Sequence, residues 1–160
     1  MNADPQRAGP GFDLEPMGQI VVEIEQGASW SFQDGPFGAR SCTRFREVVW
    51  KAPSFEARSL WANGTYRSGG EVADAEIRAM LQADDQTLMF LRYFARFSVI
   101  DFRAPFTLTG QIEASAKSPR FKWMDFAQIV GVGQLDPSTM LLTYDVGVLH
   151  PSRLASHQNG

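Results

Sequence analysis

The sequence is poor in the residue types that most often carry chemistry: Cys42 is its one cysteine, and His150 and His157 are its only histidines in 160 residues. A single thiol excludes an intrachain disulfide and a Cys-based metal cage, and this usage fits a reducing compartment, so a cytoplasmic location is expected. Two histidines near the C-terminus, with no carboxylate at ligand spacing, leave no recognisable metal motif and no supported Ser-His-Asp or Cys-His arrangement. The expectation is a protein without metal or cofactor. No apolar run approaches the roughly eighteen residues of a membrane-spanning helix, and the opening residues MNADPQRAGPGFD hold no apolar h-region. Concentrated positive charge is also missing. The formal net charge is −3 and no basic cluster exists beyond Arg40, Arg44 and Arg46, which gives no footprint for nucleic acid or an anionic membrane. Gly131-x-Gly133 lacks a third glycine and opens no helix, so it reads as strand packing rather than a phosphate cradle.

What the chain does have is aromatic mass and alternation. Its twelve Phe and four Trp favour a wide core or an aromatic-lined pocket, and its length suits one domain. Residues 1–17 mix Pro, Gly, Asp and Asn without periodicity and read as a flexible lead-in. From Gly18 the segment GQIVVEIEQ places Ile20, Val22 and Ile24 on one strand face. GASWSFQDGPFGARS follows with turn chemistry at Asp34-Gly35-Pro36, its Trp30, Phe32 and Phe37 expected on the inner side. RFREVVWKA and SFEARSLWA read as strands, and Asn63-Gly64 is a favoured hairpin dipeptide before a return strand beginning at Tyr66. Further strands are expected over LMFLRYFARFSV, FTLTGQIEAS, FKWMDFAQIVGVGQL and TMLLTYDVGVL. The domain is placed at 18–150, with 151–160 as a tail, and its short, closely spaced strands mark it as all-β.

One segment divides the reasoning. EVADAEIRAMLQA is rich in helix formers and follows a capping-box spacing, with Ala73, Ile77, Met80 and Leu81 at helical intervals. The same residues also alternate, Ala75, Ile77, Ala79 and Leu81 against Asp74, Glu76, Arg78 and Gln82, as a strand would. Residues alone leave both open.

The order of short motifs DAEIR, ADDQT, SPRFKWMD, VGVGQ and YDVGVL, with GAR at 38–40, resembles the small bacterial β-barrel family catalogued as domain of unknown function 3237. The resemblance covers roughly residues 37 to 149. It departs at the tip, where Asp84-Asp85-Gln86 replaces the usual Asp-Gly, at Asp125, where Asn is common, and at NGTYRSGG, which shortens a stretch that usually carries an Asp and a Trp. The resemblance implies a single antiparallel β-barrel with a central ligand pocket, commonly oligomeric, and so implies a strand over 72–82. It supplies no reaction.

In a barrel, polar residues that point inward are either satisfied or functional. Arg40, Asp74, Glu76, Arg78, Asp101, Asp125 and Tyr144 are the polar candidates, with Tyr66 and Tyr93 as further phenols and Trp61 and Trp123 as pocket walls. Trp123-Met124-Asp125 puts a carboxylate beside an aromatic surface, where dryness would raise its pKa into a useful range; the competing reading is an Asp–Arg pair or a turn cap. Asp74 and Arg78 read equally as an exposed strand face with weak pairing. Such a set leads to a cofactor-independent lyase, isomerase or cyclase acting on a small apolar, aromatic or polyketide-like molecule. Asp125 or Asp74 would be the acid or base, Arg40 or Arg78 would stabilise negative charge, and Tyr144 would assist. Trp123, Trp61, Tyr66, Tyr93, Glu76 and Asp101 would contact the substrate. The alternative is a non-catalytic barrel that binds a hydrophobic ligand, and a third reading is a structural homo-oligomer. Two or more titratable groups converging in one pocket favour the enzyme; carboxylates and Arg78 facing solvent defeat it.

Overall fold

The computed structural model describes residues 12–151. Eight strands follow in chain order: β1 (Phe12–Phe32), β2 (Ala39–Lys51), β3 (Glu56–Gly69), β4 (Val72–Ala83), β5 (Leu88–Ser98), β6 (Phe106–Ala114), β7 (Gln128–Asp136) and β8 (Leu141–Pro151). Each pairs antiparallel with the next and β8 closes on β1, giving an up-and-down barrel with no open edge. The all-β, single-barrel expectation is met. Strand β1 starts at Phe12, so residues 12–17 belong to the barrel wall and not to the lead-in; residues 1–11 and most of the 151–160 tail lie outside the described residues.

The ambiguous segment is β4. Ala73, Ala75, Ile77, Ala79, Leu81 and Ala83 are all buried, alternating with half-buried polar neighbours. It pairs along its whole length with β3 on one side and β5 on the other, which a helix could not do without leaving two strand edges unpaired. Tertiary pairing overrides the helix propensity of its alanines. The hairpin placed at Asn63-Gly64 also moves. These residues lie in the middle of β3, opposite Arg78 and Ile77, and the chain turns instead at Gly70, whose φ of +76° suits a two-residue hairpin tip. Gly64 is small for a packing reason: a Cβ there would lie 2.7 Å from Cζ of Phe45.

The two ends of the barrel differ. One end is plugged by a short 3₁₀ helix, Pro119–Phe126, whose Phe121 and Met124 are buried. Phe121 meets Phe55 edge to face at 5.2 Å, and Phe55 meets Trp50 at 5.3 Å. The Trp50 indole N–H donates to the Met17 carbonyl at 2.8 Å. Arg120 fastens this plug from outside, donating to Asp84 at 2.8 Å, to Asp85 at 3.3 Å and to the Ser54 carbonyl. The opposite end, ringed by the β1–β2, β3–β4, β5–β6 and β7–β8 loops, is open.

Candidate functional site

Strands β1 and β2 make the cavity by changing what they point inward. Near the plugged end β1 buries Ile20 and Val22, and β2 buries Val48 and Trp50. A register shift between Ile24 and Ser29, with Gly27 at φ +75°, then reverses the alternation of β1. Ser29, Ser31 and Gln33 line the inside, while Trp30 and Phe32 are exposed, opposite to the expected placement; Phe37 is exposed as well. On β2, Ser41 and Thr43 take the inward positions. Bulky side chains give way to small hydroxylated ones, and a cavity of about 400 Å³ opens toward the mouth.

Its far wall is aromatic. Phe97 stacks on Phe106 with centroids 4.7 Å apart, and Tyr66 and Phe102 meet Phe97 at 6.0 and 6.2 Å. The β5–β6 loop that carries Phe102 is held by backbone N–H groups of Ile100 and Asp101 donating to the Ser98 hydroxyl, and by Arg103 N–H donating to the Asp101 carboxylate at 2.9 Å. On the hydroxylated wall, Ser29 and Thr43 share a hydrogen bond of 2.9 Å.

The floor is Tyr144, behind which lies Tyr93. Their rings meet edge to face at 5.7 Å, and both side chains are fully buried. Each tyrosine packs on a glycine of the adjacent strand, Tyr144 through its ring and Tyr93 through its Cβ. Gly110 is opposite Tyr93 and Gly133 opposite Tyr144, where an added Cβ would fall 2.4 Å from each tyrosine side chain. Neither hydroxyl makes a hydrogen bond of ordinary length and angle. The two are nonetheless close enough to affect one another: burial lifts Tyr93 well above the ordinary phenol range with Tyr144 adding to the rise, and burial lifts Tyr144 while Tyr93 pulls it back. Both are held as neutral phenols. Among the described residues the cavity lining holds no Asp, Glu, Lys, Arg or His, and Tyr144 and Tyr66 are its only ionisable groups.

The structure therefore gathers Tyr66, Tyr93 and Tyr144 and leaves the charged candidates elsewhere. Strand parity explains most of it. Asp74, Glu76 and Arg78 share the face opposite buried Ala73, Ala75 and Ile77, so they point out of the barrel. Asp74 accepts from Arg96 at 2.9 Å and Glu76 from Arg92 at 2.8 Å, both exposed cross-strand pairs of the sort that contribute little. Arg78 is half-buried on that outer face, its Nε without a partner. Arg40 alternates with inward Ala39 and Ser41 and is exposed, lining an outer hollow with Arg67 and Asp74. Asp125 is exposed on the plug helix, at the far end from the cavity, and Trp123 packs there against the core. Trp61 is half exposed on the outside of β3. Asp101 is exposed and caps its own loop. The expected convergence of acids, bases and arginines on one pocket does not occur. Among the described residues no cluster of three or more His, Cys, Asp or Glu could hold a metal ion, and no helix is long and apolar enough to cross a membrane.

An eight-stranded up-and-down barrel with one plugged end and one open, uncharged cup is the class that this geometry defines. No family model matches the chain, and no curated protein matches it. Solved structures do. A beta-barrel like protein from Acinetobacter baumannii is 20% identical over 90% of this chain and 99% of its own, with a TM-score of 0.72. A conserved protein of unknown function from Rhodopseudomonas palustris is 14% identical over 88% of this chain and 99% of its own, with a TM-score of 0.75. A structure described as an enzyme from Penicillium herquei is 11% identical over 92% of this chain and 99% of its own, with a TM-score of 0.63. At such identities the likeness is one of fold.

Proposed function

We propose that the protein binds an uncharged, mainly apolar small molecule in the open cup, with its ring or chain against Phe97 and Phe106 and its polar atom toward the hydroxylated wall of Ser29, Ser41 and Thr43. The carrying observation is the lining: a cavity of about 400 Å³ walled by aromatic and aliphatic side chains and small hydroxyls, with no charged residue among its described residues. A charged ligand would enter without a counter-ion, which disfavours it strongly. An eight-stranded barrel of this width has room for one small ligand, and a mainly apolar lining with few polar groups is typical of ligand pockets.

A catalytic version, a lyase, isomerase or cyclase, is a second reading, favoured by the fold shared with a structure described as an enzyme. The carboxylate-mediated route has no acid or base in the cavity with which to run. The ordered motifs resembling domain of unknown function 3237 fall on a barrel, which supports membership in that family as part of this proposal.

The test is a titration with Nile red, an uncharged dye whose emission shifts to the blue in apolar surroundings. Wild-type protein should bind it saturably at one site. Ser41→Phe, which fills the cup, should weaken binding by about tenfold or more, as should Ala95→Leu, whereas Asp125→Asn at the plugged end should leave it unchanged. Equal binding by the filled variants sinks the proposal.

A further inference from the structure

We propose that the ligand is a neutral, flat compound of fused aromatic rings whose oxygens lie along one edge, spaced to meet two pairs of hydroxyls on β1 and β2; this rests on the cup being the binding site. The cup is polar on one side only. Its hydroxyl and amide side chains other than tyrosine, among them Ser29, Ser31, Ser41 and Thr43, all belong to β1, β2 and β3 or to Gln33 just beyond β1. From β4 onward every described lining residue is apolar except Tyr144, whose hydroxyl is shut away from the cavity. Phe97 and Phe106 form the middle of that apolar side.

The ladder fixes how the hydroxyls are spaced. Ser29 stands opposite Thr43, and Ser31 stands opposite Ser41. Partners across a strand pair are about 5 Å apart and successive inward positions along a strand about 7 Å. The wall therefore offers two polar points, one pair deeper in the cup and one nearer its mouth. Ser29 and Thr43 already share a hydrogen bond of 2.9 Å; whichever of them donates, the other keeps its hydrogen for a ligand. Ser29 and Ser31 are exposed, so a molecule entering from the mouth meets this wall directly. A ligand with two oxygens on one edge at the same spacing pairs both, while its bare edge rests on Phe97 and Phe106. An oxygen on the opposite edge would lose its water against those rings with no partner, which weakens binding by about tenfold or more. Fused rings hold the spacing in advance, whereas a chain would have to freeze its rotors to reach it.

Two isomers of one size and polarity separate the cases. In 2,7-dihydroxynaphthalene the oxygens share a long edge at about the spacing of the two pairs; in 2,6-dihydroxynaphthalene they sit on opposite edges. Each is titrated against Nile red. With wild type the 2,7 isomer should bind about tenfold or more tighter. In Ser31→Ala/Ser41→Ala either isomer pairs only one oxygen, so the preference should vanish while Nile red still binds. Ser31→Ala alone, at an exposed position, should already reduce it, and Thr109→Ala on the outer face should not. Equal affinity of the two isomers for wild type, a preference that survives the double substitution, or failure of both isomers to displace the dye overturns the one-edge rule and leaves the cup as the binding site. Failure of both isomers together with Ser41→Phe binding Nile red as wild type does overturns both.

Discussion

Removing the Tyr144 hydroxyl should make the ligand-free protein more stable. In most cores Tyr→Phe breaks a hydrogen bond and destabilises. Here the hydroxyl is buried and makes no hydrogen bond of ordinary length and angle, with Tyr93 as a weak polar neighbour, so the folded state offsets little of its lost hydration, roughly 1–3 kcal/mol for a group of this kind. Phenylalanine keeps the ring, its edge-to-face contact with Tyr93 at 5.7 Å and its seat over Gly133. The deleted oxygen leaves a gap too small for water and forfeits a few weak dispersion contacts, which offsets part of the gain. A net stabilisation of about 1 kcal/mol remains, or about 2–4 °C in Tm for a domain of this size. The assay is urea unfolding of wild type, Tyr144→Phe and Tyr66→Phe without ligand, Tyr66 being a half-buried wall tyrosine whose removal should be near neutral. The slope must stay constant for the midpoints to compare. If Tyr144→Phe unfolds at lower urea by about 1 kcal/mol or more, the hydroxyl has a partner in solution, such as a trapped water, and the unpaired floor is wrong.

Alkali should unfold the protein steeply, because both buried phenols are raised in the folded state. Below pH 10 both states keep these protons; above it the unfolded chain releases them and the folded barrel does not, so stability falls as pH rises, by about 1.4 kcal/mol per unit for each phenol. Chemical unfolding from pH 9 to 11 measures this, and Tyr93→Phe should halve the slope. Gly133→Ala should displace the Tyr144 ring, since its Cβ would meet Cδ1 at 2.4 Å and the Thr143 carbonyl at 2.7 Å; about 1–3 kcal/mol lost in thermal unfolding, together with weaker Nile red binding, is expected, and unchanged binding would separate the floor from the ligand. Arg120→Ala should loosen the plug and speed exchange of the Ala127 amide, which donates to Met124 at 3.1 Å, by about tenfold, while amides of β4 stay protected.

The fold was legible where one physical rule dominated. FTLTGQIEAS alternates so regularly that β6 follows from it, and the buried Phe106, Leu108 and Ile112 are the residues the pattern puts inside. Local rules failed where pairing partners decided: Asn63-Gly64 has hairpin chemistry, but β2 and β4 flank it on both sides and keep it extended. The alanines of β4 favour helix one at a time and strand only as a set, which is why the ordered motifs were needed to choose.

The site was hidden for a related reason. Titratable residues attract attention in a sequence, yet a barrel that binds a neutral ligand keeps its charges outside, and Asp74, Glu76 and Arg78 were conspicuous because they face water. The cup is written in smaller letters, as the replacement of Ile20, Val22 and Ile24 by Ser29, Ser31 and Gln33 along β1, and of Trp50 and Val48 by Thr43 and Ser41 along β2. Read without the shift at Gly27, the strict period of two turns Trp30 and Phe32 inward and fills the cup with aromatic rings. An odd number of extra residues in β1, three between Ile24 and Ser29 (five steps against two on β2), thus decides whether the open half of the barrel is a packed core or a cavity. Deleting Gly27 puts Ser29 an even number of positions after inward Ile24, so strict alternation keeps Ser29 and Ser31 inward, and Nile red binding should survive the deletion. Loss of binding in a deletion variant that still shows β-sheet circular dichroism would show that parity along β1 does not set the lining of the cup.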